Sequence, residues 1–376
     1  MNNKIHIFIG ANRDFEAFLN ETIPKGEERF YFLELIKDYN ANLRVQHAYN
    51  HGVIEVENLI VHGDDYASVY EHVIQNFVFT VTTNHNVENT FLHNPPQRVI
   101  DSLKISYSDV MEYHHTEYKD IDKDVLKEVW RDVTEKIVGQ EKAKKDILSN
   151  LYRLCDKENQ KPVVLLFLGD SGIGKTETAK AISATLGGNL LRVQFSMVQT
   201  AEGYNYVFGA EHSKSSLAKD LMRRETNIVL IDEFDKVHPN FYNAFYQMFD
   251  EGLFVDTNYR VDVSKCIIIC TSNFRSDKEV INKMGMPIFS RFNDSITFQD
   301  LSTSEKEILL DQIYQKCLLL LSDDEKKKVE DSDIYAWHKQ NLSHFNNVRI
   351  IRNRVEKAIN DRLIDDIING KEPVLL

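Results

Sequence analysis

One glycine-rich segment constrains the fold of this chain more than any other. The segment GDSGIGKT, Gly169 to Thr176, matches G-x-x-x-x-G-K-[ST] and lies between the apolar run PVVLLFLG and the helical run TETAKAISATLG. Glycines let such a backbone curl so that its N–H groups and the N-terminus of the following helix face phosphate groups. Because the match has the strand–loop–helix context that this chemistry needs, it predicts a nucleotide-binding loop.

Individual residues of this loop have predicted roles in binding ATP. Lys175 can reach the β- and γ-phosphates, and the Thr176 hydroxyl can be a ligand of Mg²⁺. We therefore predict ATP and Mg²⁺ as cofactors. The loop residues predicted to contact the nucleotide are Gly169, Asp170, Ser171, Gly172, Ile173, Gly174, Lys175, Thr176 and Glu177.

Two further apolar runs end in polar side chains that a parallel sheet would bring beside this loop. The run NIVLID ends in Asp232 and is followed by Glu233, and the run CIIICTSN ends in Asn273. Asp232 is predicted to hold Mg²⁺, directly or through water, and Glu233 to polarise the attacking water as a general base. Because a polar amide after a buried strand is costly unless it meets a ligand or water, Asn273 is predicted to orient that water.

Composition limits the class of protein. Of the 376 residues, 42% are hydrophobic and 27% are charged, as in ordinary globular proteins. The net charge of −13 argues against a general nucleic-acid-binding surface, which should be basic. The N-terminal apolar stretch is too short for a signal peptide, and no run approaches the ~18 apolar residues of a membrane span. We therefore expect a cytoplasmic protein without a membrane segment.

The sequence predicts three parts. Residues 1–120 have the texture of a small α/β domain, to which we assign a partner-binding role. Residues 121–300 alternate strands and helices, which favours a parallel sheet flanked by helices. Residues 301–376 are predicted to be helical, and Thr303 or Ser304 is the expected N-cap of the first helix.

The N-terminal part contains four recognisable elements. KIHIFI alternates like a strand, and YFLELIKDY has helical spacing. Two strand-like runs flank the turn Asn50-His51-Gly52, which predicts a hairpin. Residues 66–79 are predicted to form one buried helix.

The N-terminal part also holds nine of the 13 histidines. The candidates for a metal site are His47, His51, His62, His114 and His115. Their spacing matches no standard zinc site, and no cysteine lies among them, so no metal is predicted there.

The order of the motifs resembles a known family. From about Lys136 to Ile368, nearly two thirds of the chain, the sequence resembles the AAA+ ATPases of the Clp chaperone type, specifically their second ATPase module. The matching segments are IVGQEKA (137–143), FLGDSGIGKTETAKA (167–181), VLIDEFDKVHPNFYNAFYQMFDEG (229–252), TSNF (271–274), IFSRFNDSITF (288–298) and NVRIIRNRVEKAI (347–359). The resemblance implies the α/β P-loop NTPase (AAA+) fold, in which a parallel sheet is flanked by helices and followed by a helical lid.

The resemblance also implies roles for single residues. Ile137 and Val138 resemble the segment that packs on adenine, and Asn273 corresponds to the residue called sensor 1. Arg291 resembles the arginine finger that reaches the γ-phosphate bound by a neighbouring subunit. Arg349 resembles the sensor 2 arginine of the lid. Fixed cations of this kind stabilise transition-state charge. A finger acting in trans implies a homo-oligomeric ring, usually of six subunits.

One segment departs from the family pattern. In the relatives, Gly-Ala is followed by a loop with Gly-aromatic-Val-Gly that grips polypeptide in the central pore. Here Gly209-Ala210 is followed by EHSKSS, and the segment before Asp232 is about six residues shorter. Tyr204 and Tyr206 lie earlier, in a helical stretch, and are predicted to be core residues. The usual threading device is therefore predicted to be absent.

Three functions remain compatible with the sequence. ATP could drive switching or remodelling of a protein partner without aromatic threading. Alternatively, the protein could be an unfoldase that uses Lys214 and His212, a second loop or the N-terminal part. A nucleic-acid-associated ATPase is less favoured, although Lys214, Arg223 and Arg224 could line a basic pore. The tripeptide loop with which protease-coupled relatives bind a peptidase is not found.

Overall fold

The structure is a computed structural model that describes residues 3–44, 53–195, 201–345 and 347–368. Its first sheet is built from residues 4–115. The elements are β1 (Lys4–Ile9), α1 (Asn12–Thr22), β2 (Arg29–Tyr31), α2 (Phe32–Arg44), β3 (Ile54–Val61), α3 (Glu71–Gln75), α4 (Phe77–Thr82), β4 (His85–His93), α5 (Gln97–Tyr107) and β5 (Met111–His115). The strands lie in the order β2-β3-β4-β1-β5, and all neighbours are parallel.

Helices cover both faces of this N-terminal sheet. Ile5 and Ile7 pack on one face with residues of α2, α3, α4 and α5, whereas Phe8 packs on the other face with Phe15 and Leu19 of α1. Successive side chains of a strand point to opposite faces, so the alternation of KIHIFI serves two cores. The N-terminal part is therefore an α/β structure with a parallel sheet.

Some of the elements predicted for this part are present in the structure, and others are not. The strand in KIHIFI and the helix in YFLELIKDY are present as β1 and α2. The turn of the predicted hairpin lies outside the described residues, and β3 pairs in parallel with β2 and β4. The prediction of one helix over residues 66–79 is wrong, because α3 and α4 are separate short helices that meet at Asn76. The Asn76 side chain donates to the His72 carbonyl at 2.9 Å, a local bond that competes with helix continuation.

Gly10, directly after β1, is where the N-terminal sheet has no room for a side chain. Its φ is +156°, and an added Cβ would collide with the Thr116 side chain and lie 2.8 Å from the Thr116 backbone nitrogen. We expect Gly10→Ala to lower the free energy of unfolding by about 2 to 4 kcal/mol, since strain and overpacking add. Urea denaturation measures this loss. Gly26→Ala is the control, because Gly26 also has a positive φ but no atom within 4 Å of the new Cβ; an equal loss in both variants would contradict the steric explanation.

A second parallel sheet follows in the chain. Its elements and flanking helices are α6 (Lys123–Lys136), α7 (Glu141–Leu151), β6 (Val163–Leu168), α8 (Lys175–Thr185), β7 (Leu191–Gln194), α9 (Ala201–Phe208), α10 (Leu217–Met222), β8 (Ile228–Asp232), α11 (Tyr242–Glu251), β9 (Leu253–Val255), β10 (Arg260–Asp262), β11 (Ile267–Thr271), α12 (Asp277–Met284), α13 (Met286–Phe289) and β12 (Asp294–Thr297). The five main strands lie in the order β12-β6-β11-β8-β7, and β9 and β10 form a separate antiparallel pair.

The second sheet is buried on both faces. No residue of β6 is more than 1% exposed: Val164 and Leu166 face one core, and Leu165 and Phe167 face the other. Burying a side chain of this size contributes about 1.5–3 kcal/mol to stability. This is why the central strands are continuous apolar runs, and it places their polar C-terminal residues at one edge of the sheet. The predicted α/β P-loop fold is confirmed.

The C-terminal part consists of helices around their own core. They are α14 (Thr303–Leu318), α15 (Asp323–Glu330), α16 (Ile334–Gln340) and α17 (Val348–Ile368). The N-cap of α14 is Ser302, not Thr303 or Ser304, because Ser302 forms a reciprocal capping box with Glu305. In the described parts of the chain, no helix combines the length and apolarity that a membrane crossing needs.

Candidate active site

The glycine-rich loop connects β6 to α8 at the edge of the second sheet. Gly169 has a φ of +125°, and an added Cβ would lie 2.7 Å from the Phe298 carbonyl oxygen and from the Ile173 side chain. Its backbone N–H donates to the Phe274 carbonyl at 2.8 Å. Only glycine allows the chain to leave the strand this close to its neighbours. The loop then enters α8 with Lys175 as the first helical residue.

Lys175 is almost buried within the loop. Its side chain is 8% exposed, and its Nζ donates to the carbonyls of Asp170, at 3.0 Å, and of Gly169. Burial lowers the pKa of Lys175 to about 8, although the carboxylates of Asp232 and Asp235 oppose this shift. A buried cation that donates to backbone carbonyls is suited to receive an anionic ligand.

Asp232 is held from two sides at the end of β8. The Thr271 hydroxyl donates to Asp232 Oδ1, and Arg192 Nε donates to Asp232 Oδ2 at 2.9 Å. The same Thr271 oxygen accepts the backbone N–H of Glu233 at 3.0 Å. Thr271 therefore ties the ends of β8 and β11 together, since it holds the carboxylate of Asp232 and the backbone of Glu233.

Glu233 has a strained backbone. Its φ and ψ are +57° and +46°, the left-handed region that residues other than glycine rarely adopt. Such strain recurs at functional positions, where the surrounding structure holds it in place. Asn273 follows β11 at the same edge, and Arg275 next to it donates to Asp170 of the loop at 2.9 Å. This ion pair holds the pKa of Asp170 below its usual value.

A cavity of about 750 Å³ lies between the loop, the ends of β8 and β11, and the C-terminal helices. This volume is in the range of small-molecule sites. Its lining includes Lys175, Asp232 and Glu233 as well as the apolar side chains of Ile137 and Val138. This lining suits a ligand that has both an anionic group and an apolar group.

The helix α17 closes this cavity with two cations. Arg349 and Arg352, one turn apart, both line it. The family pattern assigns the lid arginine to Arg349, while Arg352 reaches the same space. Lys316 of α14 adds a further cation on this side.

Arg291 lies apart from the cavity of its own chain. Its Nε donates to Asp250 at 2.9 Å, and its guanidinium lies 4.1 Å from the centre of the Tyr246 ring. The side chain remains 25% exposed. This position is compatible with contact to a neighbouring chain.

Most residues selected from the sequence meet in one place. Those that line the cavity are Ile137, Val138, Ser171, Gly172, Ile173, Gly174, Lys175, Thr176, Glu177, Asp232, Glu233, Asn273 and Arg349. Gly169 and Asp170 contact Lys175 through their carbonyls. The sequence reasoning missed Arg192, for which the charged position within the short strand LRVQ was a signal. It assigned no role to Thr271 or Arg352.

The tyrosines of α9 differ from each other. Tyr206 packs against the core and donates to Asp220 at 2.7 Å, as predicted for a core residue. The same prediction is wrong for Tyr204, which is 55% exposed and whose ring centre lies 4.6 Å from that of Phe208.

Comparisons with known proteins agree with this geometry. The family model described as AAA domain (Cdc48 subfamily) matches residues 160–320. The chaperone protein ClpB of Staphylococcus aureus (strain COL) is 27% identical over 237 residues, which is 54% of this chain and 27% of the relative. ClpB of Clostridium tetani is 25% identical over 283 residues, 66% of this chain and 33% of the relative. ClpB of Tropheryma whipplei (strain TW08/27) is 26% identical over 238 residues, 56% of this chain and 34% of the relative.

The extent of these matches defines what they establish. The chain spans only about a quarter to a third of the length of the curated relatives it matches. The matched region carries the glycine-rich loop, both carboxylates and the sheet that positions them. Residues 160–320 are therefore an ATPase module of the Clp type within the AAA+ family.

Proposed function

We propose that the protein couples ATP binding and hydrolysis to conformational switching or remodelling of a protein partner, without threading by an aromatic loop. The observation that carries the ATPase half is the convergence of Lys175, Asp232, Glu233 and Asn273 on one cavity that Arg349 closes. The other half is supported by the segment after Gly209-Ala210, in which His212 contacts Glu71 of α3 in the N-terminal part.

The chemistry follows from the positions of these side chains. Lys175 would bind the β- and γ-phosphates, and the Thr176 hydroxyl and Asp232 carboxylate are oxygen donors of the kind that suit Mg²⁺. The ion pair of Asp232 with Arg192 shows that this carboxylate already has a cationic partner in the described arrangement. Glu233 would accept a proton from the attacking water, which Asn273 orients.

Three functional units would share this work. We propose residues 1–120 as a partner-binding domain, residues 121–300 as the large ATPase subdomain and residues 301–376 as the helical lid. In support of the last, the helices α14, α16 and α17 have a core of their own. A lid with its own core can rotate as a body when the arginines of α17 bind phosphate.

The segment that replaces the gripping loop is engaged within the chain. His212 is only 4% exposed, and its Nε2 lies 3.5 Å from the Glu71 carboxylate of α3. Lys219 donates to the His212 carbonyl, and Asn258 donates to the Ala210 carbonyl at 2.6 Å. A segment held in this way links the ATPase module to α3 of the N-terminal part, which supports a switching role.

The basic residues near this segment give little support to binding of nucleic acid. Arg223 forms an ion pair with Asp64 of the N-terminal part. Arg224 is 7% exposed, and its guanidinium lies 4.7 Å from the centre of the Tyr118 ring. Both arginines thus interact with residues of their own chain, and of the three basic residues Lys214 is the one that is exposed to solvent.

A comparison of ATPase rates tests this proposal. The rate is measured alone and with an unfolded protein, single-stranded DNA or RNA. Unchanged rates with all three, together with nucleotide-dependent oligomers, are expected. Strong stimulation by nucleic acid would contradict the proposal.

A second candidate function rests on the exposed Tyr204. This ring lies beside Phe208 and Phe241 and could hold an unfolded chain in place of the usual aromatic loop. An unfoldase of this kind would be stimulated by unfolded protein, and Tyr204→Ala would abolish the stimulation while leaving the basal ATPase rate unchanged.

We further propose a homo-oligomeric ring, of six subunits, in which Arg291 completes the site of a neighbour. Arg291→Ala should then bind ATP normally but hydrolyse it about 100-fold more slowly, because a fixed cation is missing from the transition state. Arg153→Ala, a change at an exposed arginine, is the control.

Mixing two inactive variants tests the sharing of sites. Lys175→Ala subunits retain Arg291, and Arg291→Ala subunits retain their own ATP site. Randomly mixed rings should recover about a quarter of the parental rate. No recovery in rings shown to contain both variants would contradict action in trans.

A further inference from the structure

A cluster of three potential metal ligands lies at the edge of the N-terminal sheet, and none of the three lines the ATPase cavity. Among the residues that the structure describes, His6, Glu112 and His114 bring one ligand atom each within 4.8 Å of one another. His6 belongs to β1, and the other two belong to the edge strand β5, whose Glu112 pairs in register with His6. Parallel pairing places all three side chains on the same face.

Two of the three distances within this cluster match those between the ligand atoms of a tetrahedral site. His6 Nδ1 lies 3.1 Å from His114 Nε2 and 3.4 Å from Glu112 Oε2. Zinc binds imidazole nitrogen and carboxylate oxygen at about 2.0–2.2 Å, so two of its ligand atoms lie about 3.3 Å apart. One ion can therefore contact all three atoms with little movement of the side chains.

The surrounding residues hold these ligands in place. The His6 ring stacks on Phe91 at 4.7 Å, and Phe18 of α1 lies 4.3 Å from the His114 ring. Lys4 donates to Glu112 Oε1 at 2.6 Å, which leaves Oε2 facing the histidines. Orientation of a ligand by such a partner is typical of metal sites.

The cluster also has an entry path and a free ligand position. His6 is 6% exposed, whereas the Glu112 side chain is 41% exposed, so one side opens to solvent. Two histidines and one glutamate leave the fourth tetrahedral position for water or a ligand group of a partner.

We propose that His6, Glu112 and His114 bind one divalent transition-metal ion of the zinc class at the edge of the N-terminal sheet. The ion would join the edge strand β5 to β1 and offer one exchangeable position at the surface.

Metal titration of the full chain tests this proposal. The protein is purified without a histidine tag, stripped with a chelator and titrated with Zn²⁺ against a competing indicator, with excess Mg²⁺ to occupy the sites of hard cations. One equivalent should bind, and Co²⁺ should give the visible absorption of a tetrahedral complex. His114→Ala and Glu112→Gln should each weaken binding about 100-fold or more.

His115→Ala is the matched control. His115 is the next residue of β5, is exposed, and points to the other face of the sheet, so its variant should bind like the parent. Circular dichroism of the metal-free variants establishes that they are folded. The proposal is overturned if the stripped parent binds no ion, in which case His6 and His114 are only a hydrogen-bonded pair. It is also overturned if folded His114→Ala binds Zn²⁺ as tightly as the parent.

Discussion

Glu233→Gln should bind ATP with nearly parental affinity and hydrolyse it at least about 100-fold more slowly. The substitution keeps the size of the side chain and removes its ability to accept a proton, and general-base catalysis contributes about 10² to 10⁴ in rate. The strained backbone of Glu233 is retained, because its N–H still donates to Thr271 at 3.0 Å. Steady-state phosphate release and equilibrium binding of a fluorescent ATP analogue measure the two effects separately.

The control for this variant is Glu158→Gln. Glu158 is exposed in the turn before β6, so the substitution removes the same charge far from the cavity. Its rate should equal that of the parent. A Glu233→Gln protein that hydrolyses ATP at the parental rate would contradict the assignment of Glu233 as the general base. A loss of ATP binding in this variant would mean that Glu233 is needed to shape the site.

The part of the site carried by short motifs could be predicted from the sequence because its chemistry is local. The loop from Gly169 to Thr176 contains its glycines, its cation and its hydroxyl within one turn between a strand and a helix. Asp232 ends one buried strand and Asn273 follows another, and parallel strands bring their C-terminal ends to one edge. To apply these rules, one needs to know only whether a segment is a strand or a helix, and not which strands are its neighbours in the sheet.

Residues whose role depends on strand order could not be predicted in this way. Arg192 meets Asp232 because β7 lies next to β8, and no hydrophobic pattern gives this adjacency. The two histidines at the edge of the N-terminal sheet, His6 and His114, are 108 positions apart and meet only through the pairing of β1 with β5. A search for close sequence spacing looks instead at His114 and His115, whose side chains point in opposite directions.

The exact ends of helices could also not be predicted from the sequence pattern. Three consecutive residues, Ser302, Thr303 and Ser304, are all good N-caps by type. The structure selects Ser302 because Glu305 then lies three residues later and closes the capping box. At Asn76, a side-chain bond to the preceding turn ends α3 and divides a run that is apolar enough for one helix.

Lys175→Ala should weaken ATP binding by at least about 100-fold, or about 3 kcal/mol, since it removes a buried cation from the phosphate site. The fold should survive, because both sheet faces keep their apolar cores and Lys175 donates to carbonyls of the loop. Isothermal titration with ATP measures the loss. Lys142→Ala, on the exposed side of α7, is the control, and ATP binding of the Lys175 variant at parental affinity would exclude the loop as the phosphate site.

The pH dependence of ATP binding gives a second, independent test of Lys175. Burial lowers its pKa to about 8, so the free protein loses this proton as the pH rises through 8, whereas phosphate binding favours the protonated form. ATP binding must then take up a proton above pH 8, and affinity should fall about tenfold between pH 7 and pH 9. A lysine with the usual pKa near 10.4 would show almost no change over this range. In Lys175→Arg the guanidinium stays charged, so any ATP affinity that this variant keeps should not vary with pH. An equally steep fall in Lys175→Arg would assign the titration to another group.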